Sequence, residues 1–344
     1  MPADAEADAL LLEQETDSPM EKILEVKDLV TSFRIAKKDY QVLRGISFDI
    51  HKNETLCMVG ESGCGKSVTA LTIMDLLPLN ARVESGNIKL DGQELTTLTH
   101  RERNALRGEK MGMIFQEPMT ALNPLLTIGY QLTEGLRYHK RIDSKTARET
   151  AISQLKKVGV ANPAERLRQF PFQLSGGLRQ RIMIALVMSL QPSLIIADEP
   201  TTALDVTIQK QVLALLNALK KDMNAGILFI THDLGVVAEI ADRVIVLYSG
   251  TKVEEGPVAT IINSPKHPYT LGLLNAVPNV DKEDFTIQAI PGTLPHVTEE
   301  IPGCRFHPRC PYATERCRLE IPREFAYAAG HFVACHKVEE EARK

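Results

Sequence analysis

Short apolar runs alternate along the chain with stretches whose apolar residues recur at helical spacing. Apolar runs at residues 54–59, 194–197 and 227–230 are bounded by glycine or polar residues, as in strands buried on both faces. Residues 67–77 and 208–219 carry the apolar spacing of a helix. Strands that alternate with helices predict an α/β fold with a mainly parallel sheet covered on both faces. Further elements follow from the same patterns: strands at 23–33, 42–50, 87–90, 111–115 and 244–248, and a helix at 178–189.

The character of the sequence changes at three places, which predicts its organisation. Residues 1–20 contain six acidic residues and no Lys or Arg, the wrong charge for a secretory signal, so we expect a disordered acidic tail. The pattern becomes helical and polar after Pro118, which predicts a helical subdomain at about 118–185 within a core of 21–262. Beyond Ile262, Pro and His become frequent and four of the six cysteines occur, so residues 263–344 are predicted to form a separate appendage.

Composition argues against two classes of partner. A net charge of −4 and the absence of Trp make a nucleic-acid partner unexpected. No apolar run approaches the roughly 20 residues that span a bilayer. We therefore expect a cytosolic protein that reaches a membrane only through another subunit.

Residues 60–67, GESGCGKS, match the phosphate-binding loop G-x-x-x-x-G-K-[ST]. The match lies between an apolar strand and a helix, which argues against a chance glycine turn. Glycines let backbone amides wrap phosphates, Lys66 supplies a point charge, and Ser67 offers a hydroxyl to Mg²⁺. Cys64 is interpreted as a small tolerated residue in the loop rather than a redox-sensitive thiol. The candidate nucleotide-binding residues here are Gly60, Ser62, Gly63, Cys64, Gly65, Lys66, Ser67 and Val68.

Polar residues at the ends of three other predicted strands complete a candidate hydrolytic site. Asp198 ends a buried strand and is predicted to hold Mg²⁺ together with Ser67 and Gln116. Glu199 is the candidate general base that polarises the attacking water. His232 is expected to reach the γ-phosphate or hold the water, and Gln116 to contact both Mg²⁺ and the water.

A second anion-binding surface is predicted at residues 174–181, LSGGLRQR. Ser175, Gly176 and Gly177 precede a helical stretch, so unpaired backbone amides lie at a helix N-terminus.

The order GESGCGKS, IFQEP, LSGGLRQR, LIIADEP, TTALD, ITHD resembles the ATP-binding subunit of an ABC transporter over about residues 22–262. The resemblance implies a P-loop core with an antiparallel β subdomain and a helical insertion. It also implies that two subunits enclose two ATP molecules head to tail, with Ser175, Gly176 and Gly177 on the partner's ATP. Asp205 would communicate across the dimer. An N-terminal aromatic residue would stack on adenine; Phe33 and Tyr40 both qualify, and Phe33 is favoured because it follows VTS.

Soluble ABC ATPases of DNA repair or translation are the rival class. Repair types carry a long coiled-coil insertion, but Lys66 and Ser175 are only 109 positions apart. Translation types usually carry two ATPase units, and this sequence has one.

The stretches QEPMTALNP (116–124), HPYTLGLLNAVP (267–278) and GCRFHPRCPYATERC (303–317) resemble dipeptide and oligopeptide importer ATPases. Nickel, glutathione and antimicrobial-peptide uptake systems have close relatives, so the substrate stays open. The implied partners are a second, non-identical ATPase, two transmembrane permease subunits and, indirectly, an extracytoplasmic peptide-binding protein. The implied location is peripheral, at the cytoplasmic face of the inner membrane.

Cys304, Cys310, Cys317 and Cys335 are spaced C-x₅-C-x₆-C-x₁₇-C. Disulfides are a poor default in the cytosol, and the close Cys pairs usual for zinc are absent from this spacing. His307, His331 and His336 lie nearby in sequence, so zinc stays an alternative. The importer resemblance implies a [4Fe–4S] cluster on the four cysteines, with a structural role. Cys57, in a buried strand, is interpreted as a core residue.

Overall fold

The computed structural model describes residues 21–202, 204–276 and 290–343; the predicted acidic tail lies outside them. The strands are β1 (Lys22–Ile35), β2 (Lys38–His51), β3 (Thr55–Val59), β4 (Ala81–Leu90), β5 (Gln93–Glu94), β6 (Met111–Ile114), β7 (Leu194–Asp198), β8 (Gly226–Ile230), β9 (Arg243–Tyr248), β10 (Thr251–Pro257), β11 (Phe325–Ala328) and β12 (His331–Val333).

The helices are α1 (Lys66–Ile73), α2 (His100–Leu106), α3 (Pro118–Ala121), α4 (Ile128–Lys140), α5 (Ser144–Lys157), α6 (Pro163–Arg166), α7 (Gly176–Met188), α8 (Val206–Met223), α9 (Leu234–Ile240), α10 (Val258–Asn263), α11 (Pro268–Asn275), α12 (Glu315–Leu319) and α13 (His336–Ala342). Pro171–Gln173 and His307–Arg309 form 3₁₀ turns. None of the helices in the described ranges is both long and apolar enough to cross a bilayer.

The large sheet has the order β11-β12-β10-β9-β3-β8-β7-β6. Five neighbours, from β9 to β6, run parallel. Every residue of β3, β7 and β8 is buried, which confirms that their continuous apolar runs are strands covered on both faces. Since these strands are parallel, their carboxyl ends meet at one edge, where the residues after β3, β6, β7 and β8 come together.

A second, antiparallel sheet has the order β2-β1-β4-β5. It packs against one face of the parallel strands. Phe33 and Tyr40 lie directly opposite each other in the β1–β2 hairpin. Ile50 and Met58 belong to one buried cluster that joins this sheet to β3. The antiparallel β subdomain and the predicted strands at 23–33 and 42–50 are thereby confirmed.

The helical insertion contains α3 to α6 and leads into α7. Leu132 of α4, Leu155 of α5 and Ile182 of α7 lie in one buried cluster, which continues into the parallel strands. This shared core holds α7 against the sheet, while Ser175 and Gly176 at its N-terminus are exposed.

The C-terminal residues extend the large sheet. Glu254 and Glu255 of β10 pair with Val333 and Phe332 of β12, and β11 pairs with β12 in turn. Sequence patterns predicted neither strand, because each is short. The boundary at residue 262 stays a prediction, but the appendage shares a sheet with the core.

A buried carboxylate anchors this extension. Glu254, 1% exposed, accepts hydrogen bonds from the backbone amides of Lys266 (2.7 Å) and His267 (3.0 Å). His331 Nε2 of β12 lies 2.8 Å from the same carboxylate. One side chain therefore joins β10, the segment that leads into α11, and β12.

Replacement of Glu254 by Ala would leave these three groups, two of them buried, without their acceptor. We expect E254A to lower the free energy of unfolding by about 3–5 kcal/mol, measured by denaturant titration. Glu320→Ala is the matched control, because Glu320 is an exposed carboxylate in the same region, and we expect a change within about 0.5 kcal/mol. Equal losses in both variants would contradict the anchoring role.

Candidate nucleotide-binding site

The phosphate loop borders a cavity of about 700 Å³ at the carboxyl edge of the parallel strands. Gly60 adopts φ 151°, and a Cβ there would come within 2.3 Å of the Leu247 carbonyl oxygen, so glycine is required. Lys66 is only 5% exposed, and its Nζ donates to the carbonyl oxygens of Gly60 (2.7 Å) and Glu61 (3.1 Å). The loop thus places one cationic group at the wall of the cavity. The predicted residues that line it are Gly60, Ser62, Gly63, Gly65, Lys66, Ser67 and Val68.

Cys64 is buried beneath the loop rather than part of the cavity wall. Burial raises the pKa of its thiol above the ordinary value, which keeps it protonated. This agrees with its interpretation as a small residue in the loop.

Ser67 and Asp198 form a pair suited to a hard cation. Ser67 Oγ donates to Asp198 Oδ1 at 3.1 Å. Burial raises the pKa of Asp198, an effect that the Ser67 hydrogen bond opposes. A hydroxyl and a carboxylate beside a phosphate loop fit Mg²⁺, which takes few protein ligands and completes its shell with phosphate and water oxygens.

Three side chains hold the carboxylate of Glu199. Gln116 Nε2 and Thr202 Oγ1 each donate to Oε2 at 3.0 Å, and His232 Nδ1 lies 3.1 Å from Oε1. These groups come from the ends of β6, β7 and β8, so the parallel sheet itself assembles the network. The structure brings Gln116, Glu199 and His232 together on the cavity wall; Gln116 contacts Glu199 rather than Asp198.

The backbone of Glu199 is also constrained. Its φ of 45° lies in the left-handed region, which costs a non-glycine residue of order 1 kcal/mol or more. The amide of Glu199 donates to the Ile230 carbonyl oxygen at 2.9 Å, which holds this conformation. The conformation directs the carboxylate into the cavity at the end of β7.

Several residues at the cavity escaped sequence reasoning. Thr202 follows Glu199 by three positions, and its short polar side chain beside the acid pair was an available signal. Leu273 and Ala276 also line the cavity, although they belong to the predicted appendage. Sequence offered no signal for these two, because their approach depends on how α11 packs.

The second predicted anion surface lies elsewhere. Ser175 caps α7 and accepts a hydrogen bond from the Leu178 amide at 3.4 Å, and Ser175 and Gly176 are exposed. Asp205 caps α8 by accepting from the Ile208 amide at 2.9 Å, and it too is exposed. The described residues that line the phosphate-loop cavity do not include Ser175, Gly176, Gly177 or Asp205.

Gln180 joins the two surfaces. Its side chain is 1% exposed, and its Nε2 donates to the Pro200 carbonyl oxygen at 2.6 Å. Helix α7 is therefore tied to the loop that follows Glu199.

The described residues that line the phosphate-loop cavity include neither Phe33 nor Tyr40, the two candidates for stacking on adenine. Tyr40 borders a different cavity beside the C-terminal residues 297–305, with Lys38 Nζ 5.2 Å from its ring centre. Phe33 is half-buried in the hairpin. The preference for Phe33 stays a prediction.

The four C-terminal cysteines line one small cavity, together with His267, His307 and His336. No disulfide joins any of the six cysteines. Burial raises the pKa of Cys304 to about 11. Across the described ranges, no three His, Cys, Asp or Glu side chains are arranged to hold a metal ion. The cysteines therefore converge, while the [4Fe–4S] cluster stays a hypothesis.

Comparisons with known proteins agree with this geometry. Family models match residues 43–202 as "ABC transporter" and residues 253–317 as "Oligopeptide/dipeptide transporter, C-terminal region". The oligopeptide transport ATP-binding protein AppD of Bacillus subtilis is 48% identical over 94% of this chain and 98% of its own length. The dipeptide transport ATP-binding protein DppD of Bacillus subtilis is 47% identical over 92% and 95%. The oligopeptide transport ATP-binding protein OppD of Salmonella typhimurium is 45% identical over 94% and 96%.

A solved dimer of the ATP-binding cassette MJ0796, in a post-hydrolysis state with ADP and Pi, matches with a TM-score of 0.62. It is 27% identical and covers 69% of this chain and 99% of that one. The match supports the cassette fold, and the curated relatives extend across the C-terminal region as well. The phosphate loop, the held glutamate and these matches together make the chain an ABC-type ATPase, and it belongs to the family of ATP-binding subunits of oligopeptide and dipeptide ABC transporters.

Proposed function

We propose that this chain hydrolyses ATP to power the import of dipeptides and oligopeptides across the cytoplasmic membrane. The observation that carries the enzymatic part is Glu199, aimed into the phosphate-loop cavity and held by three side chains. The peptide part rests on relatives named for peptide transport that match almost end to end. Nickel, glutathione or antimicrobial-peptide uptake through the same machinery is the alternative.

Each group of residues at the cavity has a separate role in the proposed hydrolysis of ATP. The loop amides and Lys66 would bind the phosphates, while Ser67 and Asp198 would hold Mg²⁺, which neutralises the developing charge. Glu199 would accept a proton from the attacking water. The Glu199 carboxylate is kept in place by Gln116, Thr202 and His232. Little free energy is therefore needed to orient this carboxylate during the reaction.

A second ATPase subunit, non-identical in our proposal, would complete each site. Helix α7 presents Ser175 and Gly176 to solvent, where their amides would meet the γ-phosphate of ATP bound to the partner. Asp205 would lie at the same interface. ATP binding would close the dimer through charge-assisted hydrogen bonds, and hydrolysis would let it reopen.

Two permease subunits would dock on the helical subdomain, which keeps the chain peripheral at the cytoplasmic face of the membrane. Several large apolar side chains of this subdomain are exposed, as expected of a docking surface. They are Met119 (42%), Leu125 (82%), Tyr130 (51%), Tyr138 (70%) and Phe172 (62%). An extracytoplasmic peptide-binding protein would deliver the substrate to the permeases and touch this chain only indirectly.

The four cysteines are proposed to hold a [4Fe–4S] cluster with a structural role. Their convergence on one enclosed cavity supports a shared ligand. The spacing C-x₅-C-x₆-C-x₁₇-C lacks the close Cys pairs usual for zinc, which favours a larger cluster.

Replacement of Glu199 by Gln tests the enzymatic role. We expect E199Q to bind Mg-ATP as the original protein does and to lose at least about a hundredfold in hydrolysis rate, because the amide cannot accept the proton. Uptake of a labelled dipeptide by cells that carry only the E199Q subunit should fall in parallel. Glu239→Gln, the same change at an exposed residue of α9, is the control and should leave both rates unchanged. Undiminished hydrolysis in E199Q would exclude Glu199 as the base.

Replacement of Ser175 by Ala tests the shared site. We expect the isolated chain to keep its ATP affinity, because Ser175 lies away from its own phosphate loop, while hydrolysis in the assembled transporter falls. Thr99→Ala, which removes the N-cap of α2 instead, controls for the loss of a helix cap, worth about 1 kcal/mol. Loss of ATP binding by isolated S175A would contradict the shared-site assignment.

Anaerobic purification of the full chain tests the cluster. We expect a brown protein with about four iron and four acid-labile sulfide per chain. C304S and C317S should lose both elements, and C57A, in core strand β3, should keep them. Stoichiometric zinc without iron, or no metal at all, would contradict the proposal.

A further inference from the structure

The phosphate loop is hydrogen-bonded to the C-terminal region through Glu61. The loop motif places no demand on this position, which is one of its variable residues. The Glu61 amide donates to Tyr269 Oη at 2.9 Å. The Glu61 carboxylate accepts two hydrogen bonds from Arg309, at 2.6 Å from one terminal nitrogen and 3.0 Å from the other. Both the backbone and the side chain of Glu61 are therefore held from outside the core.

Arg309 is a fixed partner rather than a mobile surface cation. Its side chain is only 5% exposed. Its Nε donates to the Pro291 carbonyl oxygen at 2.8 Å, and its guanidinium lies 5.8 Å from the centre of the Tyr248 ring. A planar guanidinium that is held on three sides makes a stiff bidentate pair with a carboxylate.

Tyr269 is equally constrained. Its side chain is fully buried, with its ring 4.7 Å from that of Tyr248 and 5.4 Å from that of Phe306. Tyr248 ends core strand β9, so the hydroxyl of Tyr269 is placed by the core of the ATPase. Other residues of the C-terminal region touch the same loop. The Leu294 Cδ2 atom lies 3.6 Å from where a Gly63 Cβ would stand, and Leu273 and Ala276 line the phosphate cavity.

The charge of Glu61 makes the Arg309 pair matter for nucleotide binding. The carboxylate of Glu61 belongs to a residue that lines the cavity expected to receive the phosphates, and an unpaired negative charge there would repel them. Pairing with Arg309 neutralises that charge. It also fixes the Glu61 carbonyl oxygen, to which Lys66 donates.

We propose that the C-terminal region forms part of the ATP site, with Arg309 and Tyr269 as positioning residues that hold the phosphate loop in its phosphate-binding shape. This inference rests on the proposed ATP-hydrolysing function of the same cavity. The segment that carries Arg309 is the turn His307–Arg309, which lies between Cys304 and Cys310. A group bound by the cysteines would stiffen this turn, but the Glu61 contacts exist in the chain itself.

The test uses the full chain and measures Mg-ATP affinity by titration calorimetry. We expect R309Q to bind Mg-ATP about tenfold more weakly, because it leaves the Glu61 carboxylate unpaired beside the phosphates. The double variant E61Q/R309Q removes that charge and should recover most of the affinity. Y269F keeps the buried ring and removes only the hydroxyl, so a smaller loss of affinity is expected. In the assembled transporter, R309Q should raise KM for ATP and leave kcat nearly unchanged.

Arg316→Gln is the matched control, since Arg316 pairs with Glu320 and Glu339 of the same region and does not touch the loop. Affinity in R309Q equal to that of the original chain would overturn the inference. So would an equal loss in R316Q, or no recovery in E61Q/R309Q, since either result would reflect general destabilisation. Lys66→Ala separates the two proposals: if it too kept full ATP affinity, the nucleotide site itself would be misassigned.

Discussion

The parallel pairing of β6, β7, β8 and β3 is the constraint on which the rest of the molecule depends. Because these strands run in one direction and in a fixed register, the residues that follow them meet at one edge. Lys66 follows β3, Gln116 follows β6, Glu199 follows β7 and His232 follows β8. Positions up to 166 residues apart in sequence thereby surround a single cavity. Because the central strands are completely buried, a slip in their register would cost much free energy. The core therefore fixes the positions of the site residues that follow these strands.

At this edge, the backbone strain of Glu199 is explained by the contacts that hold this residue. A left-handed backbone is unfavourable for glutamate, yet the amide of Glu199 is bonded to the neighbouring strand and its carboxylate to three side chains. The surrounding structure therefore over-determines the conformation. A carboxylate that is oriented before substrate arrives suits the general-base role that we propose for Glu199.

Two connections link this centre to other parts of the chain. Gln180 ties α7, and with it the exposed Ser175 surface, to the loop after Glu199. Arg309 and Tyr269 tie the C-terminal region to the phosphate loop. The first connection leads to the surface that we propose meets a partner subunit. The second leads toward the cysteine-lined cavity, so the appendage and the nucleotide site are physically continuous.

The sequence predicted those features that depend on residues adjacent in the chain. The loop GESGCGKS, the acid pair after an apolar run and the strand periodicity all report local requirements, such as backbone freedom or burial on both faces. These patterns predicted the α/β core, the family resemblance implied its antiparallel subdomain, and the structure contains both. The predicted residues Lys66, Ser67 and Glu199 line one cavity, and Ser67 contacts Asp198. The short strands β11 and β12 carry too few residues for periodicity to register, and their pairing is set by β10.

Contacts between distant segments were decided by packing alone. Nothing in the sequence couples Glu61 to Arg309, 248 positions away, because each is an ordinary charged residue in its own segment. The same holds for Thr202, Leu273 and Ala276 at the cavity wall. Residue type and spacing therefore determined which chemistry the chain carries. The tertiary structure decided which groups hold that chemistry in place, because a long-range contact leaves no local pattern to detect.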